Sequence, residues 1–150
     1  MTSNKFNTWA KKNREVCVDL LRIYLGVMLV VKGCHLALNR EEVLAYLREA
    51  DLTGLPYFHA WEQLVAHYAI LVHIAGGVML TLGLATRVAA LIQLPAVLGA
   101  AALMQSEERT FGQALGFEYV TLLFFVLLLF IVYGSGALSV DALIAKKRLR

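Results

Sequence analysis

Charge is what this chain has least of. Only 17% of its 150 residues are Asp, Glu, Lys or Arg, against roughly 25% in soluble domains. With 59% hydrophobic residues and a mean hydropathy of +0.66, too little polar surface is left to cover a globule, which excludes a water-soluble monomer. Cysteine is scarce too. Cys17 and Cys34 make no disulfide framework. On one helix they stand roughly 25 Å apart, too far for a bridge, and both read as small buried apolar residues. Catalytic signatures are missing: no phosphate-cradling Gly loop, no Cys-x-x-Cys, no nucleophile elbow and no supported carboxylate pair. Glu107-Glu108 reads as a solvated turn. The net charge of +3 and pI near 9.0 point to nucleic acid only if the basic residues share a surface. They lie mostly at the two ends of the chain with no aromatic stripe between them, so no nucleic-acid partner is expected. The polar first fifteen residues, followed by an apolar run holding Asp19, Arg22 and Lys32, do not form an ordinary signal peptide.

What the chain does have is four apolar blocks, each close to the roughly 20 residues that span a bilayer as a helix. They cover residues 16–38, 64–84, 88–104 and 117–133. Lipid offers no partners to a bare backbone, so each block is expected to be helical, with a kink at Pro95 in the third. Lys and Arg choose the orientation. Residues 1–15, the turn at Arg87 and the tail with Lys146, Lys147, Arg148 and Arg150 are basic, while residues 39–62 and the connection around Glu107, Glu108 and Arg109 are acidic. Four crossings put every basic segment on one side, which the positive-inside rule makes cytoplasmic. The fold expected is therefore all-α, a four-helix transmembrane bundle with both termini cytoplasmic. A short helix over residues 40–51 lies on its outer surface, closed by the turn Thr53-Gly54-Leu55-Pro56. The chain divides into a cytoplasmic segment 1–15, a membrane domain 16–144 and a basic tail 145–150.

The few polar residues inside the apolar blocks become the candidates. Asp19, Arg22, Gly26 and Gly33 recur on one face of the first span. Charges in lipid face the protein interior or water, and small residues admit close helix approach. That face is expected to pack inward with Asp19 and Arg22 paired. Lys32 either snorkels outward or contacts a ligand. All four histidines precede residue 74. His35, His59 and His67 fall toward the outer side, where they are candidates for a metal site, with Cys34 as a further ligand, or for a haem between helices; no spacing among them is diagnostic. His73 lies near mid-membrane on a face with Gly76, Gly77, Leu80 and Gly83. A buried imidazole there is either satisfied structurally or relays a proton.

Several segments together resemble the DoxX family of small bacterial membrane proteins. They are Arg22, Gly26 and Gly33 in the first span, Gly76-Gly77 in the second, the turn Gly83-x-x-Thr86-Arg87, Glu118 opening the fourth, and the ending Gly134-x-Gly136-x-x-Ser139-x-Asp141. His73 stands where many relatives have Glu, which reverses the charge logic of a titratable group. The resemblance implies a four-helix bundle in the bacterial cytoplasmic membrane, linked to redox physiology through quinone or a thiosulfate- or thiol-oxidising partner enzyme. The leading expectation is a redox-linked membrane subunit, a candidate component of a quinone-linked oxidoreductase. His73, Lys32 and Glu118 are its candidate quinone or proton contacts, and Asp19, Arg22, Arg87 and Asp141 form a structural charge network. One alternative is a non-enzymatic adaptor recruiting a partner through residues 39–62. Another is a haem or metal protein using the outer histidines. Partners are the lipid bilayer, a redox protein and, through the apolar third and fourth spans, a second copy of the chain.

Overall fold

The structure is a computed structural model that describes residues 2–49, 58–105, 111–136 and 138–148, with side chains described within 16–48, 61–104, 116–136 and 138–147. Every regular element among these residues is helical. In chain order they are α1 (Thr2–Leu38), α2 (Arg40–Glu49), α3 (Phe58–Leu71), a π turn (Val72–Gly76), α4 (Gly77–Leu82), α5 (Thr86–Gln105), α6 (Phe111–Tyr133) and α7 (Val140–Arg148). Among the described residues, three stretches are long and apolar enough to cross a membrane: Trp61–Leu82, Thr86–Met104 and Gly116–Tyr133. α1, with Asp19, Arg22 and Lys32 in its apolar half, is not among them. It begins at Thr2, so the polar segment continues the same helix as the first apolar block. The short helix after Asn39 ends at Glu49. The turn at residues 53–56 and the acidic connection 107–109 lie outside the described residues.

The helices pack in chain order: α1 runs along α3, the π turn and α4; these meet α5; and α5 packs on α6. Between them lies one cluster from Leu25 and Leu29 of α1, Leu80 of α4, Ala89, Ala90 and Val97 of α5, and Val120, Leu123, Leu127 and Phe130 of α6. In lipid this cluster gains nothing from leaving water, because acyl chains are as apolar as Leu. Close approach and interhelical hydrogen bonds hold the helices instead. α1 and α4 show this directly. A Cβ on Gly26 would meet the Gly77 carbonyl oxygen at 2.7 Å, and one on Gly77 would meet the Gly26 carbonyl oxygen at 2.8 Å. Only glycine at both places allows the two backbones to touch. Between α3 and α5, the Tyr68 hydroxyl donates to the Ile92 carbonyl at 2.7 Å, and α5 continues through Pro95.

α2 folds back on α3. Leu44 and Leu47 close over Ala66 beside Leu103 of α5. Arg48 donates from Nε to Glu62 Oε1 at 2.9 Å, and Arg40 bonds the Gln63 side chain. Cys17 and Cys34 are both exposed, where the sequence suggested burial. Neither thiol lies on the inward face of α1 that carries Asp19, Arg22, Gly26 and Gly33.

Candidate functional site

Two polar centres stand out from the apolar packing, one at an end of the helices and one midway along them. The first begins with Asp19 and Arg22, both without exposed surface. One helical turn apart, they meet with Arg22 Nη2 donating to Asp19 Oδ1 at 3.2 Å. Together they grip both main-chain polar groups of one residue, Leu138, in the segment after α6. Arg22 Nη2 donates to the Leu138 carbonyl at 2.7 Å, and the Leu138 N–H donates to Asp19 Oδ2 at 2.9 Å. An ion pair removed from water is held by just such further hydrogen bonds. Among the described residues, Arg22 Nε and Nη1 are buried without a partner.

The glycines around this clasp are fitted to it. α4 ends in a Schellman turn: Gly83 takes φ +68°, its N–H donates to the Leu80 carbonyl at 3.1 Å, and the Leu84 N–H donates to the Met79 carbonyl at 2.9 Å. A Cβ on Gly83 would collide with Arg22 Nη1, and one on Gly136 with the Asp19 carboxylate. Ser139 Oγ accepts from the Ala142 N–H at 3.1 Å and so caps the start of α7. Asp141 closes the circle. Its N–H donates to the Gly83 carbonyl at 3.2 Å, and its Oδ1 accepts from the Ala85 N–H at 3.1 Å. Ala85 has φ +45°, a conformation disfavoured for a residue with a Cβ, and Asp141 holds it there. Arg87 is exposed. It lies over Gly134 and donates from Nη2 to the Val132 carbonyl at 3.3 Å, and among the described residues no ion pair joins it to Asp141.

The second centre surrounds the π turn. His73 Nδ1 lies 2.7 Å from the Ala69 carbonyl. A carbonyl only accepts, so Nδ1 carries the proton, and Nε2 of the neutral ring is left with its lone pair. Gln93, fully buried in α5, donates from Nε2 to the Val72 carbonyl at 2.9 Å. That fixes its orientation and leaves Oε1 buried without a partner among the described residues. Side chains thus bond the carbonyls of Ala69 and Val72, and a side chain that enters the backbone ladder is a known cause of a widened turn. Gly33 of α1 brings its backbone against His73, with the His73 Cβ 3.0 Å from where a Cβ on Gly33 would be.

The other sequence candidates stand apart from these centres or at their edge. Lys32, next to Gly33, is exposed, and so is Glu118 on α6. His35 is exposed beside Asn39 Nδ2, and exposed His67 donates from Nδ1 to the Gln63 carbonyl at 2.6 Å. The His59 side chain lies outside the described residues, and among those described no three His, Cys, Asp or Glu residues are grouped to hold a metal. Sequence reasoning missed Gln93, although it is the sole polar side chain between Val88 and Met104. It also missed Glu62, buried at 7% exposure under Arg48.

Apolar helices of membrane-crossing length, joined by buried polar contacts rather than by a water-driven core, define an integral membrane protein. The DoxX family profile matches residues 17–106, more than half of the chain. The chain belongs to the DoxX family. The match runs from the start of the clasp to the end of α5, while the tail that Asp19 and Arg22 hold lies beyond it. No curated protein and no solved structure matches the chain.

Proposed function

We propose that this DoxX protein is a redox-linked subunit of the bacterial cytoplasmic membrane. It spans the membrane four times, with α1 as the first crossing and both termini in the cytoplasm, and it serves a quinone or a thiosulfate- or thiol-oxidising partner that passes electrons to quinone. The observation that carries this reading is His73. It is buried inside the stretch Trp61–Leu82, roughly 18 Å along the helix from Trp61, which is mid-membrane depth. Intramembrane ionisable residues mark ligand or proton routes by default. The Nε2 lone pair can accept a hydrogen bond from a quinol O–H and take up the proton that leaves as the quinol is oxidised. In the reverse direction Nε2 must first gain a proton before it gives one to a quinone carbonyl. Lys32, beside Gly33, and Glu118 are the groups proposed to pass protons between this depth and the surface.

The test is the absorption spectrum of the purified protein together with quinone analysis of its lipid extract. The reading expects no Soret band and quinone enriched over the lipid background. It also expects His73→Gln to lose that enrichment at unchanged yield. A Soret band would move the function to haem. Neither signal would overturn the quinone reading in favour of an adaptor that recruits its partner through residues 39–62.

A further inference from the structure

α7 has no structural task at its outward face. Its first turn is fully engaged: Ser139 caps it and Asp141 bonds the Gly83–Ala85 turn. Those bonds fix its height. Gly83–Ala85 joins two membrane-crossing stretches, Trp61–Leu82 and Thr86–Met104, and the third ends at Tyr133, seven residues before α7 begins. Three stretch ends and the start of α7 therefore lie at one membrane surface.

The composition of the helix fits that level. Leu143 is 68% exposed and Ile144 44%, and Leu138 just before the helix is 61% exposed. Val140, Leu143, Ile144 and Lys147 fall on one side of a helical wheel, and Lys146 and Asp141 stand just beyond its two edges, Asp141 on the side of the turn it bonds. Lys146 and Lys147 are exposed, and the sequence continues with Arg148 and Arg150. Exposed Leu and Ile interleaved with Lys suit the boundary between headgroups and acyl chains, where the apolar groups sink and the Lys stems reach up to the phosphates. From Val140 onward the basic residues are opposed by Asp141 alone, and its carboxylate is occupied by the Ala85 N–H.

We infer that α7 is an anionic-phospholipid docking element: Leu143 and Ile144 enter the bilayer surface, and Lys146, Lys147 and Arg148 gather phosphatidylglycerol-type headgroups around the tail. Juxtamembrane basic residues attract anionic lipid by roughly fivefold each.

The test uses the full chain in nanodiscs of phosphatidylcholine with a minority of phosphatidylglycerol. A bimane label sits on Leu143→Cys, with Cys17 and Cys34 replaced by Ala. One lipid or the other is brominated on its acyl chains. Quenching by brominated phosphatidylglycerol is expected to exceed its mole fraction several-fold, and Lys146→Gln with Lys147→Gln and Arg148→Gln is expected to bring it down to that fraction. No quenching by either lipid would show the helix off the membrane and overturn the inference. Quenching in proportion to mole fraction would overturn the anionic preference.

Discussion

Replacing Asp19 by Ala strips the counter-charge from a guanidinium that has no exposed surface. Arg22 keeps one acceptor, the Leu138 carbonyl, while the Leu138 N–H loses its own. Breaking one half of a buried pair costs about 3–5 kcal/mol. Each kcal/mol moves the midpoint of a chain this size by about 2–4 °C, so the melting temperature should fall by roughly 6–20 °C. Arg22→Ala should do the same from the other side. The double variant removes both charges and leaves only the Leu138 N–H and C=O unpaired, about 1–3 kcal/mol each. It should therefore melt no lower than either single variant, with a coupling energy of at least about 3 kcal/mol in the cycle. Thermal unfolding of the detergent-purified proteins, with gel filtration to confirm folded material, measures all four corners. Single variants that melt within about 2 °C of the parent, or a double variant that melts at the sum of the two losses, would refute the clasp.

Close approach of α1 and α4 makes a second test. Gly77→Leu places a side chain on the Gly26 carbonyl and should abolish accumulation of folded protein. Gly99→Leu, at a site with nothing within 4 Å, should leave yield unchanged. Gly83→Ala combines an unfavourable φ, roughly 1–2 kcal/mol, with displacement of Arg22. It should melt well below Gly134→Ala, whose φ is +75° but whose Cβ would meet only the exposed, movable Arg87. Arg87→Ala itself should lower the amount of folded protein, but far less than Arg22→Ala, since Arg87 is solvated and makes a single long bond to the Val132 carbonyl; comparing the two yields checks this.

The apolar blocks were readable because lipid imposes one strict demand, continuous apolar helix. Blocks expected at 64–84, 88–104 and 117–133 appear as Trp61–Leu82, Thr86–Met104 and Gly116–Tyr133. The inward face of α1 is written in the spacing of Asp19, Arg22, Gly26 and Gly33, all buried. The extension of α1 to Thr2 was not readable, because a polar helix and a polar coil have similar composition. The π turn was hidden for a different reason. It is accompanied by a bond between Gln93 and Val72, twenty-one positions apart, and no local period reports such a partner. The grip on Leu138 was invisible because its tail half is main chain: Asp19 and Arg22 bind the N–H and the C=O of one residue, which every residue except proline would supply. Only the glycines and Asp141 that make room for it leave a mark in the sequence.

The central claim is that His73 presents a quinone contact at mid-membrane depth. Equilibrium titration of a short-chain quinone into the purified protein in nanodiscs, parent against His73→Leu, tests it most directly. Saturable binding by the parent is expected, together with its loss in a variant that melts as a folded protein. No saturable binding by the parent, or equal binding by His73→Leu, would contradict it.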